Sequence, residues 1–147
     1  MRLADVEPVA KLTGATSRTL RGNLSDRSHH RSWVAEVVET GRIVGHARCV
    51  HFTWGLRTVP RQNPAPEGWY FMGAYVDPDY RRKGILQSLT DARFVWLRKL
   101  TSRIWYYTSP SNTSAIAAAG KNGFTACKTS FVFPDQLEPR LWFCKVF

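Results

Sequence analysis

The chain has 147 residues, the size of one domain, with 44% hydrophobic and 22% charged residues. That composition excludes a disordered or fibrous polymer. Lys and Arg number 21 against 11 Asp and Glu, a net charge of +10, which fits a polyanionic partner, a phosphorylated cofactor or a basic solvated surface.

No run approaches the roughly 20 apolar residues of a membrane-spanning helix. The opening Met1-Arg2-Leu3-Ala4-Asp5 lacks the apolar core of a secretory leader. The expectation is one cytoplasmic domain over residues 1–147 with no membrane partner.

In chain order, residues 5–21 read as a weak helix carrying Val6, Val9, Ala10 and Leu12, interrupted at Gly14. Residues 21–31 are polar and basic, a loop or an exposed helix end. A hairpin follows: Trp33 to Glu39, a turn at Thr40-Gly41, and a return over Arg42 to Phe52. Three prolines and a glycine mark 57–68 as a loop. Trp69 to Val76 is a continuous apolar run, a buried strand. Its parity places Tyr70 and Met72 on one face and Phe71 and Tyr75 on the other, subject to a bulge.

Next, Ile85, Leu89, Ala92, Trp96 and Leu100 recur at helical spacing. Arg103 to Thr108 is a strand. Asn112 caps a helix from Thr113 to Lys121, closed by Asn122-Gly123. Phe124 to Phe133 and Arg140 to Phe147 are the last strands. Their Phe131, Phe133, Trp142 and Phe143 either pack the core or form a homodimer interface. Cys49, Cys127 and Cys144 fit no CxxC pattern, so each is expected as a small buried hydrophobe on a strand and no metal is expected.

The informative segment is Val76-Asp77-Pro78-Asp79-Tyr80-Arg81-Arg82-Lys83-Gly84-Ile85. A strand ends, the chain turns, and a helix starts at a glycine behind three cations. Helix N-termini present unpaired amides and a positive dipole end, so this is either a phosphate site or a helix start that is merely basic. Neither GxxxxGK[ST] nor GxGxxG is present.

VDPDYRRKGI resembles the pyrophosphate motif of the GNAT superfamily of N-acetyltransferases, V-x-P-x-x-[RQ]-x-x-G-x-[GA]. NTSAIAAAGKNGF, Asn112 to Phe124, resembles the second motif, N-x-x-A-I-x-L-Y-x-K-x-G-F. The hairpin VVETGRIVGHARC is similar to that superfamily's second and third strands. GWYFMGAYVDPDYRRKGI, LTDARFVWL and WYYTSPSN look most like a bacterial branch related to aminoglycoside N-acetyltransferases. The likeness covers roughly residues 33–133.

The resemblance implies an α/β fold: a mixed, mostly antiparallel central sheet, splayed at its middle, with helices on both faces. The helix over 84–100 crosses between the 69–76 and 103–108 strands, so those two should be parallel. The resemblance implies acetyl-CoA as acyl donor. Ala74, Tyr75 and Val76 would pair with the pantetheine arm. Arg81, Arg82, Lys83, Gly84, Ile85, Leu86 and Gln87 would surround the pyrophosphate, and Asn112 would contact the cofactor as well as cap its helix.

The implied chemistry is direct attack of a neutral amine on a thioester, with a base for the ammonium proton and donors for the oxyanion. Two positions depart from the motifs. The tyrosine that protonates the leaving thiolate is replaced by Ala119, leaving a water, Ser114 or a nearby tyrosine for that role. The small residue closing the phosphate loop is Leu86, whose side chain would crowd it.

Glu67 is the candidate base, with His46 and His51 as others. Tyr107 stands where some relatives carry a glutamate; it lines the acceptor cleft, orients a water chain or fills the core, while Trp105 is assigned to the core. The acceptor would be a small-molecule amine, an aminoglycoside or aminocyclitol antibiotic as in resistance. The alternatives are a protein or peptide amine, or a degenerate coenzyme-A-binding protein. A nucleic-acid partner is disfavoured, because the six tryptophans do not interleave with the basic runs.

Overall fold

The computed structural model describes residues 1–53, 63–133 and 140–147. They gather into two compact units, Met1–Val50 with Met72–Leu100, and His51–Phe71 with Thr101–Phe147.

In the first unit the weak N-terminal helix is two helices, α1 (Val6–Thr13) and α2 (Ser17–Ser25). Gly14 separates them in the left-handed conformation with φ 72°, the usual helix-ending geometry. Thr16 caps α2 by accepting from the Thr19 amide. The hairpin forms from β1 (His30–Glu36) and β2 (Ile43–Phe52). β1 therefore starts earlier and stops earlier than Trp33–Glu39, because the 37–41 turn is longer than two residues, with the Gly41 amide bonded to Val37 O.

β1 and β2 pair antiparallel, with a register shift at Ala35/Glu36. Val34 packs against a cluster of Val6, Val9, Leu20 and Ile43, so the even-numbered side of β1 faces α1 and α2. The odd side meets α3 (Ile85–Leu97). There Trp33 and Trp96 stand edge to face at 5.5 Å. A Cβ placed on Gly45 would lie 3.0 Å from Ile85 Cγ2, 3.2 Å from Ala35 Cβ and 3.2 Å from Leu89 Cδ1. Helices thus cover both faces of the hairpin. Gly45→Ala is expected to cost about 1–2 kcal/mol through overpacking, read as a lower urea midpoint at unchanged slope.

α3 departs from its expected stripe. It ends at Leu97, and its buried residues are Leu89, Thr90, Arg93, Phe94 and Leu97. Leu100 lies beyond it and is exposed. The burial turns on Arg93, which hydropathy scores as a surface residue. Its Nε donates to Leu89 O at 3.2 Å and its guanidinium to Thr90 Oγ1 at 3.0 Å, so the polar head enters with its hydrogen bonds made.

In the second unit, β3 (Gly68–Val76) begins and β4 (Arg103–Thr108) pairs parallel with it. That ladder covers only Trp69↔Ile104 and Tyr70↔Trp105, while both strands run on. α4 is Thr113–Lys121, as expected. β5 is only Thr125–Ala126, and β6 is Leu141–Val146. Both β4 and β5 pair antiparallel with β6. The expected strand over 124–133 is cut short because Lys128-Thr129-Ser130 breaks its apolar run; farther along, Val132 makes an isolated bridge to Pro64.

Among the described residues the strand order is β1-β2-β3-β4-β6-β5, one sheet, mostly antiparallel with the parallel pair as expected. Phe133, Trp142 and Phe143 are buried within the chain itself. Cys49 is buried, but Cys127, past the end of β5, and Cys144 are only half-buried. Cys127 lies beyond the two-residue β5, outside the paired sheet.

Candidate functional site

β3 carries an irregularity where the sequence reading expected one. Gly73 has φ 39°, and from Gly73 to Ala74 the strand is exposed after a buried start. Tyr75 and Val76 are half-buried.

The loop after Val76 is tied down before it reaches the helix. The Asp77 amide donates to Val44 O at 2.9 Å. The Asp77 carboxylate accepts from Arg42 at 2.7 Å and from the Asp79 amide at 3.1 Å. Arg81 Nε donates to Val76 O at 3.2 Å. Lys83 Nζ lies 4.9 Å from the Tyr80 ring and Arg42 5.3 Å from it, cation–π contacts that fix both side chains.

Two residues of the loop are left-handed, Arg82 at φ 62° and Gly84 at φ 77°. For arginine that conformation carries strain, a mark of sites where backbone shape serves a purpose. Gly84 is the N-cap of α3 and offers no side-chain cap; the first helical bond runs from the Ser88 amide to Gly84 O at 3.0 Å. The amides of Ile85, Leu86 and Gln87 therefore open the helix without a side-chain cap from Gly84. Arg81, Arg82 and Lys83 are all exposed beside them. Nothing lies within 4 Å of a Cβ built on Gly84. Leu86, expected to crowd this turn, is 42% exposed. The turn is an electropositive, open anion cradle, and it fits a pyrophosphate.

In the second unit, Asn112 caps α4: its Oδ1 accepts from the Ala115 amide at 3.1 Å. It is exposed, as is Ser114. Ala119 is buried, and the Phe124 amide donates to its carbonyl. Tyr107 is half-buried among rings, 4.9 Å from Phe133, 5.1 Å from Trp142 and 6.3 Å from Tyr70. Trp105 is half-buried too, edge to face with Phe131 at 5.9 Å. It is no more interior than Tyr107, because the two alternate onto one side of β4. Tyr70 is fully buried, its hydroxyl donating to Pro66 O, and burial pushes that hydroxyl's pKa up.

The base candidates separate. Glu67 is exposed, one residue before β3. His51 is half-buried, its ring 5.0 Å from Trp69. His46 is 4% exposed, and burial, then Arg48, the N-terminus and Arg93, lower its pKa to about 4. A group so enclosed cannot reach an acceptor's proton, so His46 is removed from the candidates. Residues 57–62 of the expected 57–68 loop lie outside the described residues. Asp77, which anchors the turn before α3 through Arg42 and the Asp79 amide, was visible in the sequence only as the start of a turn.

The Acetyltransferase (GNAT) family model matches residues 5–124. No curated protein sequence matches this chain. Among solved structures, the ribosomal-protein-alanine N-acetyltransferase from Brucella melitensis is 18% identical with a TM-score of 0.75, covering 100% of this chain and 97% of its own. The PaiA N-acetyltransferase from Thermoplasma acidophilum, solved with coenzyme A, is 13% identical at 0.71, covering 100% and 96%. The aminoglycoside 6'-N-acetyltransferase AAC(6')-IG from Acinetobacter haemolyticus is 13% identical at 0.71, covering 94% and 97%. These identities speak for the fold alone.

Proposed function

Because the chain belongs to the GNAT acetyltransferase family, we propose that it is an acetyl-CoA-dependent N-acetyltransferase moving the acetyl group directly onto a primary amine of a small molecule. The observation that carries this reading is the uncapped start of α3 behind a left-handed Gly84, flanked by three exposed cations. The Ile85, Leu86 and Gln87 amides hold the pyrophosphate, with Arg81, Arg82 and Lys83 adding charge. The exposed backbone of β3 up to Ala74-Tyr75-Val76 takes the pantetheine arm. The donor supplies an activated thioester, so no covalent enzyme intermediate is needed.

The acceptor's neutral amine forms the new N–C bond as the C–S bond breaks. Glu67, exposed to solvent, takes the ammonium proton through water. Tyr107 is assigned to the lining of the acceptor cleft. The usual acid is missing, since Ala119 is a buried methyl group; the departing thiolate takes its proton from water. An aminoglycoside is the narrower form of this reading. It is polycationic, however, and the chain carries +10, so the broader class of small amines is the reading kept. Peptide acceptors form the second arm of the test, because structural neighbours named for ribosomal-protein substrates match the fold about as well as the aminoglycoside enzyme does.

Calorimetric titration with acetyl-CoA is expected to give a dissociation constant of about 1 μM, roughly −8 kcal/mol. A free-thiol release screen across amines, aminoglycosides and peptides then names the acceptor class. Absence of acetyl-CoA binding would overturn the reading; binding without release from any acceptor would make the protein a coenzyme A binder.

A further inference from the structure

The turn between β3 and α3 holds a backbone shape that arginine resists: Arg82 is left-handed at φ 62°, and Gly84 follows at φ 77°. Such backbone persists only where its surroundings over-determine it. The one regular piece inside the turn is the three-residue 3-10 helix Pro78–Tyr80. What fixes the start of that piece is the β1–β2 hairpin. The Asp77 amide donates to Val44 O at 2.9 Å, and the Asp77 carboxylate accepts from Arg42 at 2.7 Å. Arg42 is itself placed by the hairpin turn. Its amide donates to Thr40 Oγ1 at 3.3 Å, and its carbonyl accepts from the Val37 amide at 2.9 Å.

Arg42 and Asp77 are unequal partners. The Asp77 side chain is 12% exposed and that of Arg42 55%, so the charge that burial penalises is the carboxylate. Without the guanidinium it would keep the Asp79 amide, at 3.1 Å, and would be drawn toward water, taking the start of the turn with it. Arg42 has a second hold. Its guanidinium lies 5.3 Å from the Tyr80 ring, and Lys83 Nζ lies 4.9 Å from the same ring. Two cations are tolerated on one ring because Asp77 offsets the charge of Arg42. One side chain thus grips both ends of the 3-10 helix: Asp77, its N-cap, and Tyr80, its last residue. Directly after Tyr80 come the left-handed Arg82 and the cations assigned to the pyrophosphate.

We propose that Arg42 is a positioning residue for the acyl donor: acting through Asp77 and Tyr80, it holds residues 77–84 in the shape that aims the Ile85, Leu86 and Gln87 amides at the pyrophosphate. This rests on the acetyltransferase reading. Preorganisation of that kind lowers the cost of binding without adding a contact. The hairpin thereby sets donor affinity without touching the donor.

The test compares acetyl-CoA with S-acetylpantetheine, which carries the same thioester and lacks the pyrophosphate. Arg42→Met is expected to raise the acetyl-CoA Kd and KM about tenfold at nearly unchanged kcat. It should leave kcat/KM for S-acetylpantetheine within about twofold. Arg42→Lys should recover part of the loss, because it keeps the charge without the planar fork. Asp77→Asn keeps the cap on the Asp79 amide and removes the charge, so it should weaken acetyl-CoA binding as well. The double variant should then bind no worse than the weaker of the two single variants, since both break one contact. Equal losses on the two donors, or an unchanged acetyl-CoA Kd, overturn the proposal. So do losses that multiply in the double variant. Tighter binding by Asp77→Asn overturns it too, because Arg42 would then be a direct ligand that Asp77 holds back. If the wild type does not bind acetyl-CoA or no amine turns over, the acetyltransferase reading is the one that fails. The positioning role is then read without ligand, from amide exchange by NMR. Exchange at Asp77, Asp79 and Tyr80 about tenfold faster in Arg42→Met than in wild type supports it, and unchanged rates overturn it.

Discussion

Gly84→Asp is expected to raise the acetyl-CoA dissociation constant at least 100-fold, about 2.7 kcal/mol, while leaving the fold in place. Aspartate is among the few side chains that tolerate the left-handed region, and Gly84 sits at φ 77° with open space where a Cβ would go. It is also a good N-cap, worth about 1 kcal/mol, and α3 has no side-chain cap to displace. The strain and the new cap roughly cancel, so the melting temperature should move by only a few degrees. Binding should not survive, because the new carboxylate accepts from the amides assigned to the pyrophosphate and sets a negative charge against it. Gly84→Ala separates the two effects: it carries the strain, about 1–2 kcal/mol, without the charge, so it should lose more stability and less affinity. An unchanged dissociation constant in Gly84→Asp would place the coenzyme elsewhere.

The strand, loop and helix around Gly84 were legible because their signals are local. An apolar run, Asp-Pro, three cations and a glycine each act within a few residues. The Asn112 cap was legible for the same reason, and its bond to the Ala115 amide is the one an N-cap makes. The parallel β3–β4 pair followed from a helical crossover, a rule of topology.

What was lost is what burial decides. The α3 stripe was misplaced because Arg93 satisfies its donors on its own helix and goes inside, which no hydropathy pattern registers. The expected 124–133 strand shrank to Thr125–Ala126, and its pairing with β6 extends over two residues only. The size of Leu86 is written in the sequence and its exposure is not. His46 looked like a base for the same reason: an imidazole is visible in a sequence, and the cations around it are not.

Acid is expected to destabilise the protein through His46. Its pKa is about 4 in the folded chain against 6.5 for an exposed histidine, burial being the largest cause and Arg48, the N-terminus and Arg93 adding to it. As pH falls below 6.5 the unfolded chain takes up a proton that the folded chain refuses until about pH 4. The unfolded state therefore binds more protons throughout that window, and stability rises with pH across it. The stability is complete above 6.5, declines through the window, and below 4 the loss is finished. The span corresponds to about 3 kcal/mol, of which about 2 is lost by pH 5. His30, lowered chiefly by burial, acts in the same direction, so the His46 share needs a variant. His46→Gln cannot titrate, and urea unfolding at pH 7 and pH 5 should show a drop about 2 kcal/mol smaller than in wild type. An equal drop in both would mean that the ring protonates in place without cost.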